Sequence, residues 1–157
     1  MRREILVYPD PFLVRKAAPV AAVTDRIRTL ISDMFQTMYA AEGVGLAATQ
    51  VGVGKRVVVL DVSPVDETVA PLAVVNPEIV SRDGSVIGVE GCLSVPGVQG
   101  EVCRAETVEV RGMDELGNPL RIRAAGILSR ALQHEIDHLD GILFIDRLSS
   151  SAAASAK

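Results

Sequence analysis

The segment Gly126-Ile127-Leu128-Ser129-Arg130-Ala131-Leu132-Gln133-His134-Glu135-Ile136-Asp137-His138-Leu139 holds both histidines of this 157-residue chain. Leu128, Ala131, Leu132, Glu135 and Leu139 recur along one flank at helical spacing, and Gly141 is a good stop. The segment therefore reads as a helix. On it, His134 and His138 stand one turn apart on the same face. Two imidazoles so placed can share a metal ion, and Glu135 beside the first can act on water there as general base. A solvated helix end with charged residues is the plainer reading of the same pentapeptide, and the rest of the chain has to decide.

A catalytic site of this kind keeps three protein ligands and one open position. A histidine six residues past His138 would complete one known arrangement, but Phe144 stands there, and no glutamate follows His138. The third ligand must lie upstream. Cys92, in Glu90-Gly91-Cys92-Leu93-Ser94, is the best candidate. Gly91 gives the backbone freedom to aim the sulfur, and a thiolate is a strong ligand for borderline metals. An arbitrary cysteine is more often a small buried hydrophobe; a two-histidine helix lacking its third partner reverses that preference. Cys103 lies in a strand-like run and reads as structural. A disulfide between the two cysteines is possible, but a domain of this size needs none.

Upstream, Thr24 is a fair N-cap, and Ile27, Leu30, Ile31, Met34 and Met38 follow at helical spacing, with an end expected near Glu42 before Gly43. Gly43-Val44-Gly45-Leu46-Ala47-Ala48 formally fits a dinucleotide fingerprint, but a helix precedes it where a strand is required. Gly52-Val53-Gly54-Lys55 is no phosphate loop, because Arg56 replaces the needed Ser or Thr. These glycines read instead as places where backbone approaches a partner closely. Arg56 to Val62 reads as a buried strand. Leu72 to Val75 is another, continuing over Glu78 to Ser81 beyond a kink, and Val86 to Glu90 a third. Glu106 to Arg111 and Leu120 to Ala124 alternate wet and apolar positions and suggest an antiparallel hairpin. The expected fold is α+β, with mostly antiparallel sheets packed around the C-terminal helix. It forms a single catalytic domain over residues 1–148, followed by a disordered Ser/Ala tail over 149–157.

Composition narrows the function. Aromatic residues make up 3% of the chain and the net charge is −4, which argues against base stacking and against a nucleic-acid footprint. No stretch has the length of a membrane span, and the N-terminal apolar run is too short for a signal peptide, so a cytoplasmic location is expected.

Three segments in order, Gly43-Val44-Gly45-Leu46-Ala47-Ala48-Thr49-Gln50, Glu90-Gly91-Cys92-Leu93-Ser94 and Gln133-His134-Glu135-Ile136-Asp137-His138, together resemble peptide deformylase. The resemblance runs from about Tyr8 to Leu148. It implies a metal-dependent hydrolase that removes the formyl group from the N-terminal formyl-methionine of newly made polypeptides. By motif position, Cys92, His134 and His138 hold one divalent ion, usually Fe(II), with Zn, Ni or Co able to substitute. Glu135 is the acid/base, and Gln50 with the Leu93 N–H binds the developing oxyanion. Val44 and Gly91, with Gly45, would offer backbone to the extended peptide, and Ile127 and Ala131 are plausible walls for the methionine side chain. Arg104 is a candidate to pair with Glu90. Two departures stand out. Gln99 occupies a position where many members carry Arg, and a Ser/Ala tail follows where some carry a longer helix used at the ribosome. A transient ribosome contact and a monomer are expected.

Overall fold

The computed structural model describes residues 1–148; the tail expected to be disordered lies outside them. Seven strands, β1 (Gly45–Ala47), β2 (Val57–Leu60), β3 (Leu72–Asp83), β4 (Val86–Cys92), β5 (Val95–Arg104), β6 (Thr107–Met113) and β7 (Pro119–Ala125), combine with two α-helices, α1 (Asp25–Ala40) and α2 (Gly126–Leu139). Five strands form one antiparallel sheet in the order β1-β2-β3-β6-β7, and β4 and β5 form a separate two-stranded sheet.

The unbroken apolar run of β2 follows from its place between the helices. Val57 and Val59 pack with Ile27, Leu30, Ile31, Met34 and Met38 of α1, while Val58 and Leu60 pack with Leu128, Leu132, Ile136 and Leu139 of α2. A strand covered on both faces has no wet side to alternate with. In β6, Val108 and Val110 face α2 and Arg111 faces solvent, as the period-two pattern requires. A third cluster, Val95 and Val102 with Leu13, Leu143 and Phe144, seats the β4–β5 hairpin. α2 thus lies between the large sheet and the hairpin, and this sandwiching buries its polar residues from Gln133 to His138.

Two sequence expectations need correction, the end of α1 and the place of Cys103, while a third holds. α1 starts after Thr24, whose hydroxyl accepts the Ile27 N–H, but it ends at Ala40, and Glu42 rather than Gly43 takes the left-handed conformation (φ 58°). Gly43 serves packing, since a Cβ there would stand 2.7 Å from Leu93 Cδ1. The continuation of β3 past the kink at Asn76 is as expected. The strand runs through it with a bulge, and the Asn76 side chain accepts the Val20 N–H and donates to the Val20 carbonyl. Finally, Cys103 is exposed on β5 instead of supporting the core, and both cysteines are free thiols.

Candidate active site

Cys92 ends β4, and His134 and His138 lie on the face of α2 turned toward it. Cys92 Sγ is 3.2 Å from His138 Nε2, which is 3.2 Å from His134 Nε2. A tetrahedral ion at the usual metal–nitrogen distance separates two imidazole nitrogens by about 3.3 Å, so the nitrogen pair already spans such an edge. The protonation pattern also fits. His134 Nδ1 is 2.9 Å from Glu90 Oε1, and a carboxylate only accepts, so the hydrogen sits on Nδ1 and the Nε2 lone pair faces the other donors. Cys92 Sγ accepts the Ser94 N–H at 3.4 Å and lies 3.6 Å from Gln50 Nε2, contacts that aim the sulfur toward the histidine pair. These three side chains are suited to hold a divalent ion.

Glu90 anchors the arrangement from behind. Burial alone would raise its pKa, but Arg104 and His134 outweigh it and hold the carboxyl well below the usual range. Arg104 bonds both Glu90 oxygens at 2.9 Å and also reaches Asp137, which Arg147 grips from the outside. Arg130 adds a bond of 2.6 Å to Glu90 Oε2. The histidines respond in opposite senses. Burial works against charge on His134, yet Glu135, Cys92 and Glu90 lift it to about 10, whereas burial and the His134 charge push His138 well below its ordinary value. Uptake of an ion therefore displaces a proton.

Glu135 points into the same space. Burial raises its carboxyl to about 7, with the neighbouring His134 charge pulling the other way. Among the described residues two buried side-chain polar atoms lack any hydrogen-bond partner, and both belong to this motif: Glu135 Oε1 and His138 Nδ1. Leaving a buried polar atom unpaired costs about 1–3 kcal/mol, and such atoms mark catalytic or ligand-binding positions. Gly45 explains how the carboxylate fits, because a Cβ at residue 45 would stand 2.5 Å from Glu135 Oε2. The close approach read from the glycine-rich segment is thus made first to the protein's own site, Gly43 against Leu93 and Gly45 against Glu135.

A cleft of about 570 Å³ opens over these groups. Val44, Gly45, Gln50, Gly91, Cys92 and Leu93 line one part of it, and Ile127, Ala131, His134 and Glu135 the other, with His138 fully buried behind. Gln50 is held by the Ala47 N–H on its carbonyl oxygen (2.9 Å) and donates to Ser94 Oγ (3.0 Å). The Leu93 N–H sits in the tight turn after Cys92 and donates to no protein group among those described. Val44 is narrower in scope than its expectation. Its carbonyl already accepts the Asp61 N–H at 2.8 Å, while its N–H has no partner among the described residues. Gln99 lies across from Gly91 on β5 and folds over it.

The sequence profile of the polypeptide deformylase family matches residues 2–154. The chain belongs to the polypeptide deformylase family. A peptide deformylase from Alkalilimnicola ehrlichii is 54% identical over 146 residues, covering 93% of this chain and 82% of that protein. The crystal structure of a peptide deformylase from Legionella pneumophila superposes with a TM-score of 0.92 at 47% identity, covering 99% of this chain and 91% of that one. The Synechococcus elongatus peptide deformylase, solved in complex with actinonin, gives a TM-score of 0.92 at 43% identity, covering 98% and 85%. The resemblance read from three short segments therefore extends over nearly the whole deformylase chain.

Sequence reading paired Arg104 with Glu90 but missed Arg130, Asp137 and Arg147. Asp137 sits at i+3 and Arg130 at i−4 from His134, so both share its face of α2. That spacing was a usable signal. Arg147 had none, because its partner is set by the turn after α2.

Proposed function

We infer that this chain hydrolyses the formamide of N-formyl-methionyl peptides, releasing formate and a free methionine amine. The observation that supports this most strongly is the convergence of Cys92, His134 and His138 with Glu135 and Gln50 at the floor of one cleft, in a chain of this family. Cys92, His134 and His138 would hold a divalent ion, which would supply a Lewis acid that lowers the pKa of water toward about 7 and polarises the formyl oxygen. Fe(II) is the proposed ion, and Zn, Ni or Co also suit one thiolate and two imidazoles.

Glu135, raised toward neutrality by burial, takes a proton from the attacking water and delivers it to the departing amine. Gln50 Nε2 and the Leu93 N–H flank Cys92 and donate to the carbonyl oxygen as it gains negative charge. The Val44 N–H and the Gly91 backbone pair with the extended peptide. Ile127 and Ala131 give the methionine side chain an apolar wall. No helix among the described residues is long and apolar enough to cross a membrane. The substrate is the nascent chain end, so the proposal places a monomer in the cytoplasm, in transient contact with the ribosome.

Formate release from formyl-Met-Ala-Ser, compared with acetate release from acetyl-Met-Ala-Ser, tests the reading on anaerobic, metal-replete protein. Turnover of the formyl peptide with little of the acetyl peptide is expected. Equal rates would point to a broader amidase, and no turnover of either to a binding module.

A further inference from the structure

The three candidate metal ligands come from two bodies that share no backbone ladder. Cys92 rides on the β4–β5 hairpin, and His134 and His138 ride on α2. The position of the sulfur relative to the imidazoles therefore depends on side chains that cross between hairpin and helix. We propose that Arg130 is a positioning residue that fixes the hairpin on α2 at the separation at which Cys92 meets the histidine pair.

Arg130 starts on α2 and ends on both strands. Its Nη2 donates to the Val86 carbonyl of β4 at 2.8 Å, and its Nη1 donates to the Val102 carbonyl of β5 at 3.0 Å. The same Nη1 reaches Glu90 Oε2 at 2.6 Å, and the other oxygen of Glu90 is the one that accepts His134 Nδ1. One planar group thus grips two strands and the carboxylate behind a ligand. A lysine offers a single ammonium and cannot reach these acceptors together.

Gly88 supplies the second, independent observation. A Cβ there would lie 3.1 Å from Arg130 Cζ and Nη2 and 3.2 Å from Nε. The hairpin lies this close to the guanidinium because residue 88 has no side chain. Arg104 also binds Glu90, but it belongs to the hairpin itself and is buried with Asp137. Removing Arg130 leaves Glu90 paired with Arg104 and His134, so the fold has no unpaired buried charge to absorb.

The inference rests on the three-ligand reading, and the experiment separates the two. Wild type, R130K and G88A are loaded anaerobically with Co(II). The thiolate-to-Co(II) absorption band, the rate of metal loss to a chelator, and kcat and KM for formyl-Met-Ala-Ser are then measured. R130K is expected to lose metal about 10–100-fold faster, with an altered band and a lower kcat at nearly unchanged KM. G88A, which keeps the guanidinium and pushes on it, is expected to shift the same readouts in the same direction by less, and it carries the test if R130K fails to fold. A wild-type band with both variants matching it in band and metal loss would overturn the role of Arg130 while leaving the metal centre intact. A wild type without the band would overturn both.

Discussion

Glu135→Gln is expected to retain its divalent ion and to lose about 10²–10⁴ in kcat on formyl-Met-Ala-Ser, the range that a positioned acid/base contributes. The substitution keeps the shape of a side chain that is 4% exposed and removes only the carboxylate. Neither His134 nor His138 depends on Glu135 for a hydrogen bond, so the ligand set stays in place. Because burial holds the Glu135 carboxyl at about 7, its charged form is disfavoured in the fold. The amide should therefore leave the melting temperature unchanged or raise it, the usual trade between stability and a strained catalytic group. Metal content, kcat and thermal midpoint on one preparation check all three statements. Loss of the metal would make Glu135 a ligand or a structural residue.

The second large effect is expected from a single methyl group. Gly45→Ala places a carbon 2.5 Å from Glu135 Oε2 and 3.0 Å from Cδ. Gly45 is half-buried, but it is paired with Leu60 of the fully buried β2, and that ladder holds its backbone in place. The carboxylate must swing away instead. A misplacement of about 1 Å at a reacting group is worth about 10²-fold in rate, and that is the loss expected in kcat with metal content unchanged. Gly43→Ala is the built-in comparison. Its methyl meets Leu93 Cδ1, the far end of a flexible side chain, and the expected loss is much smaller. Equal effects of the two substitutions would remove the special fit between Gly45 and Glu135.

What could be read from the sequence follows the range of the forces involved. α2 was visible because its period, its Gly141 stop and its histidine spacing are local, and β6 and β7 because each has one wet face. β2 was visible as apolar, though nothing local says that its two faces meet different helices. β5 went largely unread. Pro96, Gly97 and Gly100 interrupt any alternation, and its pairing with β4 is what makes it a strand. In the site, the ligands and Glu135 came from spacing together with the resemblance. The use of Gly45 could not, because it depends on how far a β1 backbone stands from a helix ninety residues later in the chain. The Arg130 clamp had a local half, its turn of α2, and a remote half, the Val86 and Val102 carbonyls, that only the folded hairpin provides.

The central claim is that Cys92, His134 and His138 hold one divalent ion. Anaerobic metal analysis and the Co(II) spectrum of wild type against Cys92→Ser, with turnover on a formylated tripeptide, test it most directly. The expected result is one ion per wild-type chain with a sulfur-to-cobalt band, and loss of that band and of most turnover in the variant. A Cys92→Ser protein that keeps the ion, the band and wild-type turnover would contradict it.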